Sequence, residues 1–159
     1  MYRIGQAIDI HPLVDNRKLI LGGVTIPFHK GLGGHSDADV LVHAIMESII
    51  GALGLGDLGK HFSDRDLTYK GISSLVLLKE TKKMMDLAGY IINNMDATVL
   101  LEKPMLAPYI PSMKENISSV LDCSMDKVNI KATRGESLGY IGRQEGAQAQ
   151  CVVMLKKRG

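Results

Sequence analysis

The segment from Ala147 to Leu155 constrains the fold of this chain more than any other. Ala147, Ala149, Cys151, Val153 and Leu155 are small or apolar, and Gln148, Gln150, Val152 and Met154 interleave with them. A period of two is that of an extended strand, whose successive side chains point to opposite sides. One face of this strand must therefore lie against packed elements. The other face is polar at Gln148 and Gln150 but apolar at Val152 and Met154. A surface of that kind is expected to pack against further copies of the chain.

The remaining elements can be read around that strand. Arg3 to His11 reads as a first strand, and Asp15 to Arg17 as a turn. Lys18 to Ile26 is β-rich and broken by Gly22-Gly23, which predicts a hairpin. His29 to Gly34 reads as a flexible glycine loop. Val40, His43, Ala44, Glu47 and Ile50 recur at helical spacing, with Ser36 or Asp37 as N-cap. Gly51 to Gly59 ends that helix. A second helix opens at Ser73 or Ser74 and closes at Gly89, the C′ residue. Tyr90 to Leu101 reads as a strand. After Pro104, Pro108 and Pro111 comes a helix near Ser112 to Leu121, then a strand, Val128 to Thr133, and a polar loop from Arg134 to Gly146. This order predicts an α+β domain over 1–159, with helices on one face of a mainly antiparallel sheet.

Composition narrows the partners. The chain has 159 residues, enough for one domain with its own core. Its 19 basic and 17 acidic residues leave a formal charge of only +2, which gives no reason to expect nucleic acid or an acidic membrane. Aromatics are 4% and Trp is absent, so base-stacking platforms are not expected either. Cys123 and Cys151 form no CxxC pair. Neither a signal peptide nor an apolar run long enough for a bilayer is visible. The expected location is the cytoplasm, or a plastid stroma if a targeting peptide was removed.

Four clusters carry chemistry. On a strand, Asp9 and His11 point to the same side and could grip one ion, with His43 as third ligand and a fourth position left open. The plainer role for the pair is hydrogen bonding at a strand end. In Gly33-Gly34-His35-Ser36-Asp37-Ala38-Asp39, glycines lead into a helix start, which suits an anion. There Asp37 reads as a cap, and Asp39 as a cap or as an acceptor that orients a metal-bound His. Gly54 to Asp64 is glycine-rich, and Asp57 and Asp64 could accept from sugar-like hydroxyls or simply belong to a polar loop; His29 and His61 read as solvent-facing or structural. In Lys131 to Glu136, followed by Gly139 to Arg143, Thr133 and Arg134 could hold phosphate and Glu136 a hard cation such as Mg²⁺. The plainer alternative is a loop with one surface ion pair.

Taken together and in this order, the clusters resemble the 2-C-methyl-D-erythritol 2,4-cyclodiphosphate synthase (IspF) family. The likeness rests on R-I-G-x-x-x-D-x-H (Arg3 to His11), L-G-G-V-x-I-P (Leu21 to Pro27) and H-S-D-x-D-V-x-x-H-A (His35 to Ala44). It continues in G-D-x-G-K-x-F-x-D (Gly56 to Asp64) and in K-A-T followed by E-x-L-G-Y-x-G-R-x-E-G (Lys131 to Gly146). It runs from Arg3 to about Leu155.

The resemblance implies a homotrimer with active sites between subunits and a reaction of the non-mevalonate (MEP) isoprenoid pathway. The substrate would be the 4-cytidine diphosphate ester of methylerythritol 2-phosphate, and the products the cyclic 2,4-diphosphate and CMP. The enzyme would be a phosphorus–oxygen lyase. Asp9, His11 and His43 would bind Zn²⁺, and Glu136 a Mg²⁺ or Mn²⁺ that bridges the diphosphate. His35 and Ser36 would form a mobile loop over the substrate. Asp57 and Gly59 would hold erythritol hydroxyls, in a pocket shared by Leu58, Phe62, Ser63, Asp64, Arg65 and Asp66. Leu101, Glu102, Lys103, Pro104, Met105, Leu106 and Ala107 would cradle cytidine. Thr133, Arg134 and Gly135 would meet the diphosphate, with His35 and Arg134 as the catalytic donors, and Tyr140 and Arg143 would complete the site or the trimer axis. The chain departs from the family pattern at Glu47, Met105, Gln144 and the pair Arg134-Gly135, where threonines are usual.

The nucleophile in such a reaction is already an oxyanion, which agrees with the lack of an obvious nucleophile–base pair. Two other functions fit the same residues. One is a zinc phosphoesterase; the other is a non-catalytic trimer that binds an isoprenoid diphosphate at an apolar axis through Arg143.

Overall fold

The alternating C-terminal segment forms the middle strand of the main sheet. A computed structural model describes residues 1–159. In chain order the elements are β1 (Tyr2–Asp15), β2 (Leu19–Leu21), β3 (Val24–Ile26), β4 (Lys30–Leu32), α1 (Val40–Leu53), α2 (Leu58–His61) and α3 (Ser74–Leu87). They continue with β5 (Tyr90–Leu100), α4 (Ile110–Leu121), β6 (Val128–Thr133), α5 (Gly139–Gly142) and β7 (Gly146–Lys157). The sheet order is β4-β1-β7-β5-β6, and β2 and β3 make a separate hairpin.

The sheet is mainly antiparallel, as the sequence predicts, but one parallel pair makes it mixed. β7 runs antiparallel to both β1 and β5, and β4 antiparallel to β1. β6, however, is parallel to β5. The chain leaves β5 and returns through α4, and a crossover of that kind brings the next strand back in the same direction.

Parity decides what each face carries. In β7, Ala147, Ala149, Cys151, Val153 and Leu155 are all buried, as the alternation requires. In β1, Gly5, Ala7, Asp9, His11 and Leu13 face the helices, and Tyr2, Ile4, Ile8 and Ile10 stay on the open face. α1 packs on β1 and β7 and is covered by α3. It is accordingly apolar nearly all round, and only Glu47 and Gly51 escape burial.

β1 and α1 approach very closely. A Cβ on Gly5 would lie 1.9 Å from the Ser48 carbonyl oxygen and 2.6 Å from the Ala52 nitrogen. Nothing larger than glycine fits there.

Several local expectations change. His29 to Gly34 is not simply a flexible loop: Lys30–Leu32 pairs with the end of β1, and Leu32 is buried. Gly51 lies inside α1, which ends at the left-handed Gly54. The N-cap of α1 is Asp39, not Ser36 or Asp37. The Asp39 carboxylate accepts from Val42 N at 3.1 Å, and from Gly22 N and Gly23 N at 3.0 and 2.8 Å. It thus pins the β2–β3 turn to the start of α1. Burial pushes its carboxyl up to about 6, against the three amides that favour the charged form.

Two substitutions test this framework by urea denaturation. Gly5→Ala should cost about 3 kcal/mol or more, because backbone must move to admit one methyl group. Asp39→Ala should cost about 2–4 kcal/mol, since three amides lose their acceptor at once.

Candidate active site

β1 and α1 bring three donor atoms together. His11 Nε2 and Asp9 Oδ2 are 2.8 Å apart, and His43 Nδ1 lies 3.2 Å from each of them. Metal–ligand lengths of about 2.0–2.2 Å place neighbouring donors of a tetrahedron roughly 3.3–3.6 Å apart. The triangle is slightly tighter than that and needs only a small opening to surround an ion. Asp9, His11 and His43 therefore form a candidate metal site, as their spacing predicts.

The protons agree with the geometry. His11 Nδ1 lies 2.8 Å from the Gly33 carbonyl, which only accepts, so that nitrogen carries the hydrogen and Nε2 is bare. His43 turns Nε2 toward the hydroxyls of Ser74 and Ser36, at 2.9 and 3.1 Å, and Nδ1 toward the triad. Two imidazole lone pairs and a carboxylate then converge with no hydrogen among them, an arrangement that a cation relieves. Burial raises the Asp9 carboxyl, but the His11 and His43 rings beside it, which become donors to the carboxylate once protonated, outweigh it and bring it down to about 2. Burial likewise works against a charged His11, and its bond to Asp9 prevails, leaving that imidazole above its usual value. Gly34 closes over the His11 ring, where a Cβ would sit 3.1 Å from Nδ1.

The triad opens into a cavity of about 330 Å³. Its walls include His35, Ser36, Leu58, Gly59, Phe62, Ser63 and Asp64, and also Tyr69 and Leu77. Asp57, Arg65 and Asp66 do not line it. The Asp57 side chain is used to cap α2, accepting from Lys60 N. The Asp66 carbonyl accepts from His35 Nε2 at 2.8 Å, and its carboxylate accepts from Thr68 N. His61 is tied to the Leu55 carbonyl, which fits its structural reading.

A second cavity, of about 640 Å³, is lined by Leu101 to Ala107 together with Thr133, Arg134 and Glu136. Gly135 is not in its wall; its amide donates to Glu102, whose carboxylate accepts from Gly135 N at 2.8 Å and Ser137 N at 3.3 Å. Arg134 and Glu136 are exposed and stand 3.8 Å apart. Tyr140 and Arg143 line neither cavity: the Tyr140 hydroxyl donates to Gln148 at 2.6 Å, and Arg143 is held by Glu145 at 2.9 Å. The pairings His11 with Ala147, Gln148 with Leu100 and Leu100 with Thr133 put both cavities at one end of the sheet. Three strand spacings separate His11 from Thr133 within the chain, roughly 14 Å.

Some residues at the site carry no local sequence signal. Arg17 donates to the Gly34 and Ser36 carbonyls at 2.9 and 2.8 Å and so braces the loop beside the triad. Ser74 reads only as a helix start. Asp39 does not orient His43; it is the helix cap, and the carboxylate linked to His43 Nε2, by way of Ser74, is that of Asp37. Glu47, on the helix that carries His43, accepts from Leu58 N and ties α1 to α2.

Comparison with known proteins gives a consistent family. The YgbB family model matches residues 2–156. The chain is 54% identical over 156 residues to a 2-C-methyl-D-erythritol 2,4-cyclodiphosphate synthase of Clostridium botulinum (strain Alaska E43 / Type E3), covering 98% of this chain and 99% of that protein. A Geobacillus sp. (strain WCH70) protein of the same name is 51% identical over 158 residues, 99% of this chain and 100% of its own. Among solved structures, the bifunctional IspDF of Campylobacter jejuni superposes with a TM-score of 0.95 at 38% identity, over 99% of this chain and 43% of that longer one. A CDP complex of IspF from Plasmodium falciparum gives 0.87 at 30% identity, covering 99% and 97%.

Metal analysis tests the triad directly. The protein dialysed against Zn²⁺ should hold one ion per chain, and His43→Ala and Asp9→Asn should each lose it while keeping the native circular dichroism spectrum. Unchanged metal content in both variants would refute the site.

Proposed function

The chain belongs to the YgbB family, and from that membership we propose that it converts the 4-cytidine diphosphate ester of methylerythritol 2-phosphate to 2-C-methyl-D-erythritol 2,4-cyclodiphosphate and CMP. It is a cyclodiphosphate synthase of the MEP pathway to isoprenoids. The observation that carries this is identity above half, over nearly the whole length, with relatives named for that activity, in a chain whose Asp9, His11 and His43 converge.

In the reaction an oxygen of the 2-phosphate attacks the outer phosphorus of the diphosphate. The new P–O bond closes the ring as the bond to CMP breaks, so a phosphorus–oxygen lyase is the matching class. Because the nucleophile is an oxyanion, no side chain has to remove a proton. What the protein must do is bring two anionic groups into line, and holding one substrate in a near-attack shape can lower the barrier by up to about 7–11 kcal/mol. Asp9, His11 and His43 would hold Zn²⁺, and Glu136 a Mg²⁺ or Mn²⁺; these ions supply positive charge and Lewis acidity at the phosphate oxygens. Leu101 to Ala107 would take the cytidine, Thr133 and Arg134 the diphosphate, and Leu58, Gly59 and Phe62 to Asp64 the erythritol. His35 and Arg134 would donate to charge that grows at the outer phosphate.

The second feature of the proposal is a trimer with active sites between subunits. Two observations support it. Tyr2, Ile4, Ile8, Ile10 and Val152 leave an apolar row on the open sheet face, each about half exposed or more. In addition, the triad and the 133–136 loop are separate within one chain, so a neighbour's loop can complete the site. A non-catalytic isoprenoid binder is less well supported, because Arg143, its anion anchor, is already paired with Glu145.

Phosphorus NMR of the reaction mixture tests the activity. CMP and a cyclic diphosphate are expected; inorganic phosphate in their place would mark a phosphoesterase. Glu136→Gln should raise the Mg²⁺ concentration needed for half-maximal rate and leave Zn²⁺ content unchanged. Light scattering should give the mass of three chains, and Ile8→Asp, on the open face, should lower it.

A further inference from the structure

We infer that Asp37 and Ser74 are positioning residues: they form a relay that fixes the tautomer and aim of His43 toward a cation in the triad. The inference rests on the metal reading of Asp9, His11 and His43, and extends it to residues that touch neither ion nor substrate.

Hydrogen-bond capacity fixes the direction of the relay. The Asp37 carboxylate can only accept. It takes the Ser74 amide at 3.0 Å through Oδ2 and the Ser74 hydroxyl through Oδ1. The single hydroxyl hydrogen of Ser74 is thereby committed, and Oγ has only lone pairs left. Its other neighbour is His43 Nε2, 2.9 Å away, which must therefore donate. With its hydrogen on Nε2, neutral His43 presents a bare Nδ1 to Asp9 and His11. Ser74 is wholly buried, so no water competes for these bonds. Ser36 Oγ is a second acceptor for the same hydrogen at 3.1 Å, but it also accepts Ala38 N and has no link to a carboxylate.

Direct carboxylate–histidine–metal triads hold the ring and raise its basicity. Here a hydroxyl is interposed. The arrangement draws its parts from the loop before α1 (Asp37), from α1 (His43) and from the first residue of α3 (Ser74). It therefore links the seating of α3 to the metal site. Asp37 also serves α3 as a cap, because Ser73, the residue at the N-cap position, makes no side-chain bond. A test must separate the two roles.

Zinc affinity should be measured by chelator competition on metal-free protein, with the absorption spectrum of the Co²⁺ form as second readout and the thermal midpoint of metal-free protein as control for folding. Ser74→Ala should weaken Zn²⁺ roughly tenfold or more and alter the Co²⁺ band. Asp37→Asn keeps an acceptor for the Ser74 amide. It should weaken Zn²⁺ by a similar factor in the native background and by less than about twofold in Ser74→Ala, because the relay is already broken there. If Ser74→Ala does not fold, Ser74→Cys fills the same space with a weaker acceptor and takes its place. Native zinc affinity in a folded Ser74 variant would overturn the inference. So would an equal Asp37→Asn effect in both backgrounds, which would leave Asp37 as a helix cap alone. Failure of the parent protein to bind Zn²⁺ at all would instead refute the metal reading beneath it.

Discussion

The Ser48 carbonyl oxygen occupies the space that a side chain on residue 5 would fill. This close seating of α1 on β1 governs most of the molecule. It lets a helix that is apolar on nearly every side disappear between the sheet and α3. It also sets how far His43 stands from β1. Four and six residues beyond Gly5, on the same side of the strand, come Asp9 and His11, and their donor atoms reach His43 Nδ1 at 3.2 Å. A helix held an ångström or two further out would leave the two halves of the triad unable to share an ion.

The triad is also an electrostatic design. Each imidazole gives its hydrogen away from the centre, one to a carbonyl and one to a pair of hydroxyls. Without a cation, the bare nitrogens and the carboxylate share a small, half-buried space. Protonation of His11 is the substitute available to the metal-free protein, which agrees with the upward shift of that group beside Asp9. The second cavity has the opposite character. It is bordered by long side chains such as Lys103, Met105 and Arg134, and Glu102 holds the backbone amides of Gly135 and Ser137 beside it.

Much of this was legible in the sequence where the signal was periodic. β7 follows from alternation alone, and the convergence of Asp9 with His11 from a spacing of two. His43 follows from helical spacing and from the resemblance to a known family. What the sequence does not disclose are bonds between distant segments. Asp39 caps α1 and also gathers the Gly22 and Gly23 amides, seventeen and sixteen residues away along the chain. Asp37, close enough to look like the cap, reaches 37 residues to Ser74 instead. β4 was hidden because glycines dominate its neighbourhood, although Gly31 is required there: a Cβ would meet the Lys18 carbonyl oxygen at 2.2 Å. The parallel placement of β6 likewise depends on how α4 crosses, not on any residue within β6.

Odd-numbered positions of β1 between Gly5 and His11 carry the helix contact and two donors of the triad, and even-numbered ones carry the apolar row of the open face. Insertion or deletion of a single residue between Gly5 and Ile8 would exchange the two sets beyond it. Asp9 and His11 would emerge on the outer surface, while Ile8 and Ile10 would be driven beneath α1. Chemistry and outer surface are thus written in one reading frame along this strand, so that its length is far less free to drift than the identity of any of its exposed side chains.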